Sequence, residues 1–139
     1  MKHEKCCGAV VYTKIGDQVY YLLVQNLKGV YGFPKGHMEA NETETETAIR
    51  EIKEEVGLDV DLNTSFRTTD SYMIPGMQDT MKEVVYFAAY YENQTLVCQK
   101  EELTSAALYT YDEAMERFQY ARLKRILTEA DCYLTSSQQ

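Results

Sequence analysis

The chain of 139 residues contains no tryptophan, and proline and histidine occur only twice each. The two histidines, His3 and His37, stand nowhere near zinc-finger spacing, and the four cysteines (Cys6, Cys7, Cys98 and Cys132) form no Cys-x-x-Cys pair. Zinc ribbons, zinc fingers and dithiol redox centres are therefore excluded, and the thiols read as reduced. Positive charge is also scarce, with 14 Lys and Arg against 22 Asp and Glu and a net charge of −8. Nonspecific binding to a duplex needs clustered Lys and Arg, so no DNA partner is expected. A polyanionic small molecule stays compatible with this charge if a bound cation reverses the local sign. No apolar run approaches the roughly 18–20 residues needed to cross a bilayer, so no membrane association is expected. The opening MKHEKCCGAVVY is basic and then apolar, without a signal-peptide cleavage pattern, which predicts a cytoplasmic protein.

Hydrophobic residues make up 45% of the chain, enough for a core, and no repeat, linker or low-complexity block divides it. One domain over residues 1–139 is the simplest organisation. CCGAVVYT and QVYYLLVQ are rich in β-branched and aromatic residues, and the intervening Ile15-Gly16-Asp17 predicts a hairpin. Leu27 to His37 holds Gly29, Gly32, Pro34 and Gly36 and reads as a structured loop around a short strand. A helix is expected from Thr43 to Val56, and strands near Asp59–Thr69, Lys82–Tyr91 and Ala106–Tyr109. Helices should follow over Thr110–Gln119, where Thr110 and Glu113 are spaced as a capping box, and over Ala121–Tyr133. This order predicts a mixed β-sheet with helices packed on it.

The most unusual stretch is the acidic one, with glutamates at 42, 44, 46, 51, 54 and 55. The first block is explained by local structure. Thr43 and Glu46 have capping-box spacing, and Glu44 and Glu46 fall in the first turn, where the helix dipole favours anions. Gly57 can supply the left-handed C-terminal residue. The second block is not explained this way. Ala48, Ile49, Ile52 and Val56 form the apolar stripe, and Glu51 and Glu55 share its border with Cβ atoms roughly 5–6 Å apart. Like charges at that spacing destabilise a helix unless something positive lies between them. Arg50 and Lys53 compensate in part, but a hard divalent cation compensates better. Just upstream, Gly36 permits a close backbone approach and could add its carbonyl to such a shell.

Gly36, then five residues, Glu42, then seven residues and Arg50-Glu51-Ile52-Lys53-Glu54-Glu55-Val56-Gly57-Leu58 resembles the Nudix box G-x5-E-x7-R-E-U-x-E-E-x-G-U at every position, U being aliphatic. The resemblance implies an α/β/α sandwich and magnesium- or manganese-dependent hydrolysis of nucleoside diphosphates linked to another group. Within that family, Phe33-Pro34-Lys35-Gly36-His37 is similar to a segment of the asymmetrical bis(5′-nucleosyl)-tetraphosphatases, with Tyr31 where those have tryptophan. Lys82-Glu83-Val84-Val85-Tyr86-Phe87 resembles their K-x-V-x-Y strand, and Glu102 resembles their late acidic residue.

The implied roles follow. Glu51, Glu54, Glu55 and Gly36 hold the metal, and Arg50 orients a carboxylate. Glu102 or Glu54 is the base. Lys35, His37 and Lys82 meet phosphate, and Tyr86 and Phe118 hold a nucleobase. The expected partner is a small nucleotide, with diadenosine tetraphosphate cleaved to ATP and AMP. Two alternatives stay open: a pyrophosphohydrolase of nucleoside triphosphates or other nucleoside diphosphate derivatives, and a non-catalytic nucleotide sensor.

Overall fold

A computed structural model describes residues 1–99 and 101–136. The first two strands, β1 (Lys2–Ile15) and β2 (Gln18–Asn26), pair antiparallel across a turn in which Gly16 takes φ +62°. The glycine-bearing loop contains two short strands, β3 (Tyr31–Gly32) and β4 (Lys35–His37), and α1 spans Glu44–Val56. Next come β5 (Asp61–Met73), β6 (Thr80–Tyr90), β7 (Leu103–Tyr109), α2 (Tyr111–Arg117) and α3 (Ala121–Ser136). The predicted elements are all present, and the structure extends β5 and β6 toward each other into one long hairpin.

The strands form a seven-stranded mixed sheet in the order β3-β2-β1-β6-β5, with β4 paired to β1 and β7 to β2. Only the β1–β6 ladder is parallel among these pairs, running from Lys2↔Thr80 to Tyr12↔Tyr90. β1 is apolar almost without alternation because both of its faces are covered. Cys7, Ala9 and Val11 pack with Ala48, Ile52 and Val56 of α1. Cys6 and Val10 face the opposite way, onto Ile126, Leu127 and Ala130 of α3. The result is an α/β/α sandwich. All four cysteines are free thiols, two of them buried in β1. Among the described residues no helix is long and apolar enough to cross a membrane.

α1 is fixed at both ends by its own sequence. The Thr43 side chain accepts from the Glu46 N–H, and the Glu46 carboxylate accepts from the Thr43 N–H, closing a capping box. Gly57 ends the helix at φ 74°, and its N–H returns to the Lys53 carbonyl. The register that buries Ala48, Ile52 and Val56 therefore also decides where Glu51 and Glu55 point.

Candidate active site

Glu51 and Glu55 are almost fully buried, at 5% and 6% exposure, on the α1 flank of a cavity of about 850 Å³. A volume of that size is within the usual range for small-molecule sites. The Glu51 carboxylate lies against Gly36 so closely that a Cβ there would sit 1.8 Å from its Oε2. Glycine at 36 is thus required by contact: β4 passes over the carboxylate with no room for a side chain.

Arg50 organises the glutamates around this point. Its Nε and Nη2 donate to the two carboxylate oxygens of Glu42 at 2.6 and 3.0 Å, a bidentate pair, and Nη2 also donates to the His37 carbonyl at 2.9 Å. Nη1 donates to Glu51 Oε1 at 2.9 Å and to both oxygens of Glu54 at 3.2 Å. One guanidinium therefore ties the Gly36 loop to the helix and fixes the Glu51 rotamer. Arg50, followed by the Glu39 N–H, holds the Glu42 carboxyl down at about 2. Glu54 lies on Arg50, outside the cavity lining.

Among the described residues no group of three or more His, Cys, Asp or Glu side chains converges as a metal cluster. The candidate donor set is the two buried carboxylates of α1. Glu51 and Glu55 offer only hard oxygen donors, one helical turn apart, facing a cavity beside the backbone of a glycine. Magnesium is commonly bound by one or two carboxylates, with waters and substrate phosphates completing the shell. The residues present fit such an ion.

Next to the carboxylates lies positive charge. Lys35 on β4 and Lys82 on β6 both line the cavity, and burial together with the neighbouring Lys82 ammonium pushes the Lys35 pKa down. His37, at the rim, bonds to Glu4 Oε1 through Nε2 at 2.9 Å. Glu102 lines the cavity at an exposed position immediately before β7, whereas Glu101 does not line it.

The two aromatic residues expected to hold a base lie deeper than that role suggests. Tyr86 forms part of the lining, but it is 1% exposed and its ring meets Phe33 edge-on at 5.4 Å. Phe118 is a core residue outside the lining, packed on Phe33 at 5.2 Å. Besides Tyr31 of β3, the half-buried or exposed aromatic residues that line the cavity are Tyr72 of β5 and Tyr120, just before α3. The Arg122 guanidinium lies over both rings, 4.1 Å from the Tyr72 centroid and 4.9 Å from that of Tyr120, and pairs with buried Asp70. Sequence reasoning missed Asp70, Tyr72, Tyr120 and Arg122. A signal was present for the first two, which alternate at strand period, but the hairpin register that sets Tyr72 opposite Lys82 is a long-range pairing.

The side chains thus form a continuous series of neighbours: Glu51 against Gly36, Lys35 next in β4, Lys82 beside Lys35, Tyr72 across the ladder from Lys82, and Arg122 on Tyr72. Carboxylates are followed by cations and then by aromatic faces.

The family model for the NUDIX domain matches residues 3–130. The bis(5′-nucleosyl)-tetraphosphatase (asymmetrical) of Sus scrofa is 27% identical over 144 residues, covering 95% of this chain and 96% of that protein. The enzyme of the same name from Caenorhabditis elegans is 26% identical over 132 residues, covering 94% and 96%. The crystal structure of a C. elegans Ap4A hydrolase binary complex superposes with a TM-score of 0.87 at 25% identity, covering 96% of this chain and 98% of that one.

Proposed function

The chain belongs to the NUDIX family of hydrolases, and from that premise we propose that it cleaves a phosphoanhydride bond of a dinucleoside polyphosphate, converting diadenosine tetraphosphate to ATP and AMP. The observation that carries this reading is the series from buried carboxylates through paired lysines to aromatic faces along one cavity. A polyphosphate with a nucleoside at its end has the same sequence of chemistries: metal-binding phosphates, further anionic phosphates, then a flat base. The similarity to asymmetrical tetraphosphatases over nearly the whole chain supports it.

Glu51 and Glu55, with the Gly36 carbonyl, would hold a magnesium or manganese ion, and Glu54, bonded to the same arginine as Glu51, would join them. When bound, that ion neutralises phosphate charge and lowers the pKa of water. Arg50 holds Glu51 aimed into the cavity through the bond at 2.9 Å. Lys35 and Lys82 offset the charge that builds up on the departing triphosphate, and His37 extends this track at the rim. Glu102 accepts the proton of the attacking water, with Glu54 as the alternative base. Tyr72 and Tyr120, with the Arg122 guanidinium over their rings, flank the space for a base, and Tyr86 lines the same cavity.

The test is product analysis with a panel of nucleotides. The account requires magnesium-dependent formation of ATP and AMP in equal amounts from diadenosine tetraphosphate. Two ADP as products, or faster turnover of a nucleoside triphosphate than of the dinucleotide, would overturn it.

A further inference from the structure

We infer that Arg122 is a specificity-determining residue that reads the nucleobase and selects guanine over adenine, an inference that rests on the nucleotide reading of the same cavity. The guanidinium is held in place from three sides: Tyr72 and Tyr120 at 4.1 and 4.9 Å, and the Asp70 carboxylate on Nη1. Asp70 is 2% exposed, so the tether is anchored in the sheet, while the Arg122 side chain is 32% exposed and lines the cavity.

Two features separate this arginine from a structural tie. Arg125, one turn later on α3, is such a tie: its Nη1 donates to Glu129 at 2.6 Å and its Nη2 to the Thr69 carbonyl at 2.7 Å. Arg122 donates only through Nη1 among the described residues, which leaves the Nε and Nη2 fork unused at a cavity wall. The charge pattern also argues against a phosphate role. The Asp70 carboxylate cancels the charge of Arg122 locally, so the group attracts anions weakly but donates hydrogen bonds directionally. The adjoining cations left for phosphate are Lys35 and Lys82.

A guanidinium fork demands two adjacent acceptors. Guanine offers O6 and N7 side by side, whereas adenine sets the N6 donor beside N7, so the fork would meet donor against donor. The tyrosines and Asp70 hold the guanidinium in place beside aromatic rings against which a purine can pack. No other change in the site is needed for the preference.

The experiment measures equilibrium binding of GMP and AMP by calorimetry to the full chain, together with kcat/KM for diguanosine and diadenosine tetraphosphate. Wild type should bind GMP at least about fivefold more tightly than AMP, the low end for one bidentate arginine–guanine pair. Arg122→Lys keeps a cation for Asp70 but removes the fork, and it should bring the GMP/AMP ratio close to one while leaving inorganic tripolyphosphate binding unchanged. Equal binding of the two mononucleotides by wild type, or a preference that survives in Arg122→Lys, would overturn the inference. So would loss of tripolyphosphate binding in the variant with the base preference intact, which would assign the fork to phosphate. If neither tetraphosphate is hydrolysed yet mononucleotide discrimination follows Arg122, base reading stands and the tetraphosphate reading falls.

Discussion

Replacing Glu55 by glutamine changes its charge and leaves its shape and helix propensity nearly intact. Because Glu55 faces the cavity from a well-packed helix, Glu55→Gln should lower turnover about a hundredfold or more with little loss of stability. Near-normal rates at saturating magnesium would remove it from the metal shell. Gly36→Ala tests the same point from the other side. Its Cβ would lie 1.8 Å from Glu51 Oε2, so the carboxylate must swing away; we expect turnover to collapse while thermal unfolding shifts modestly, and an alanine variant of wild-type activity would contradict the packing. Glu102→Gln should cost about 10²–10⁴ in rate if this residue takes the proton, with Glu101→Gln as the control outside the cavity; the reverse pattern would move the base by one residue. At this scale the sequence was informative where function is concentrated in a local pattern. Arg50, Glu51 and Glu55 are spaced within one helix, so their placement follows from helical period, and Gly36 lies just upstream in β4, one short connection away. Phe118 was not legible in this way: a phenylalanine after a short helix reads the same whether it meets Phe33 in the core or a ligand in a cleft.

Local rules also carry α1, because its caps and stripe are short-range. Thr43→Ala should cost about 1 kcal/mol of stability, and Gly57→Ala roughly 1–2 kcal/mol for the left-handed backbone, both read from urea denaturation. The charges that hold this helix to the sheet give a sign for pH. Arg67, followed by Lys5, holds the Glu44 carboxyl at about 2 instead of 4.5, and Arg50 does the same for Glu42. A carboxyl whose pKa is depressed by folding contributes stability in full above its unfolded value and loses it as pH falls toward its folded value. The urea midpoint should therefore be flat near neutrality and fall between pH 4.5 and about 2. Glu44→Gln should show a shallower fall over that window; an identical acid profile would mean that the Lys5–Glu44–Arg67 cluster contributes nothing. The strand pairings were less legible than the helix. Nothing in the β1 or β6 sequence announces their parallel pairing, or that Thr68, Asp70 and Tyr72 lie opposite Tyr86, Val84 and Lys82. Register over such separations is set by which faces the whole sheet buries, and that is why the aromatic and arginine side of the cavity came only from the structure.

Across the molecule, a net charge of −8 makes the cavity's local cations decisive for the proposed reaction: a polyphosphate would be drawn to Lys35, Lys82 and a divalent ion held by the carboxylates. The central claim is that water attacks the phosphorus carrying one nucleoside, with the triphosphate-bearing nucleotide departing onto these charges. Hydrolysis of diadenosine tetraphosphate in ¹⁸O-water with mass analysis of both products tests this most directly. The account predicts one labelled oxygen in AMP and none in ATP; label in ATP, or the appearance of ADP, would contradict it.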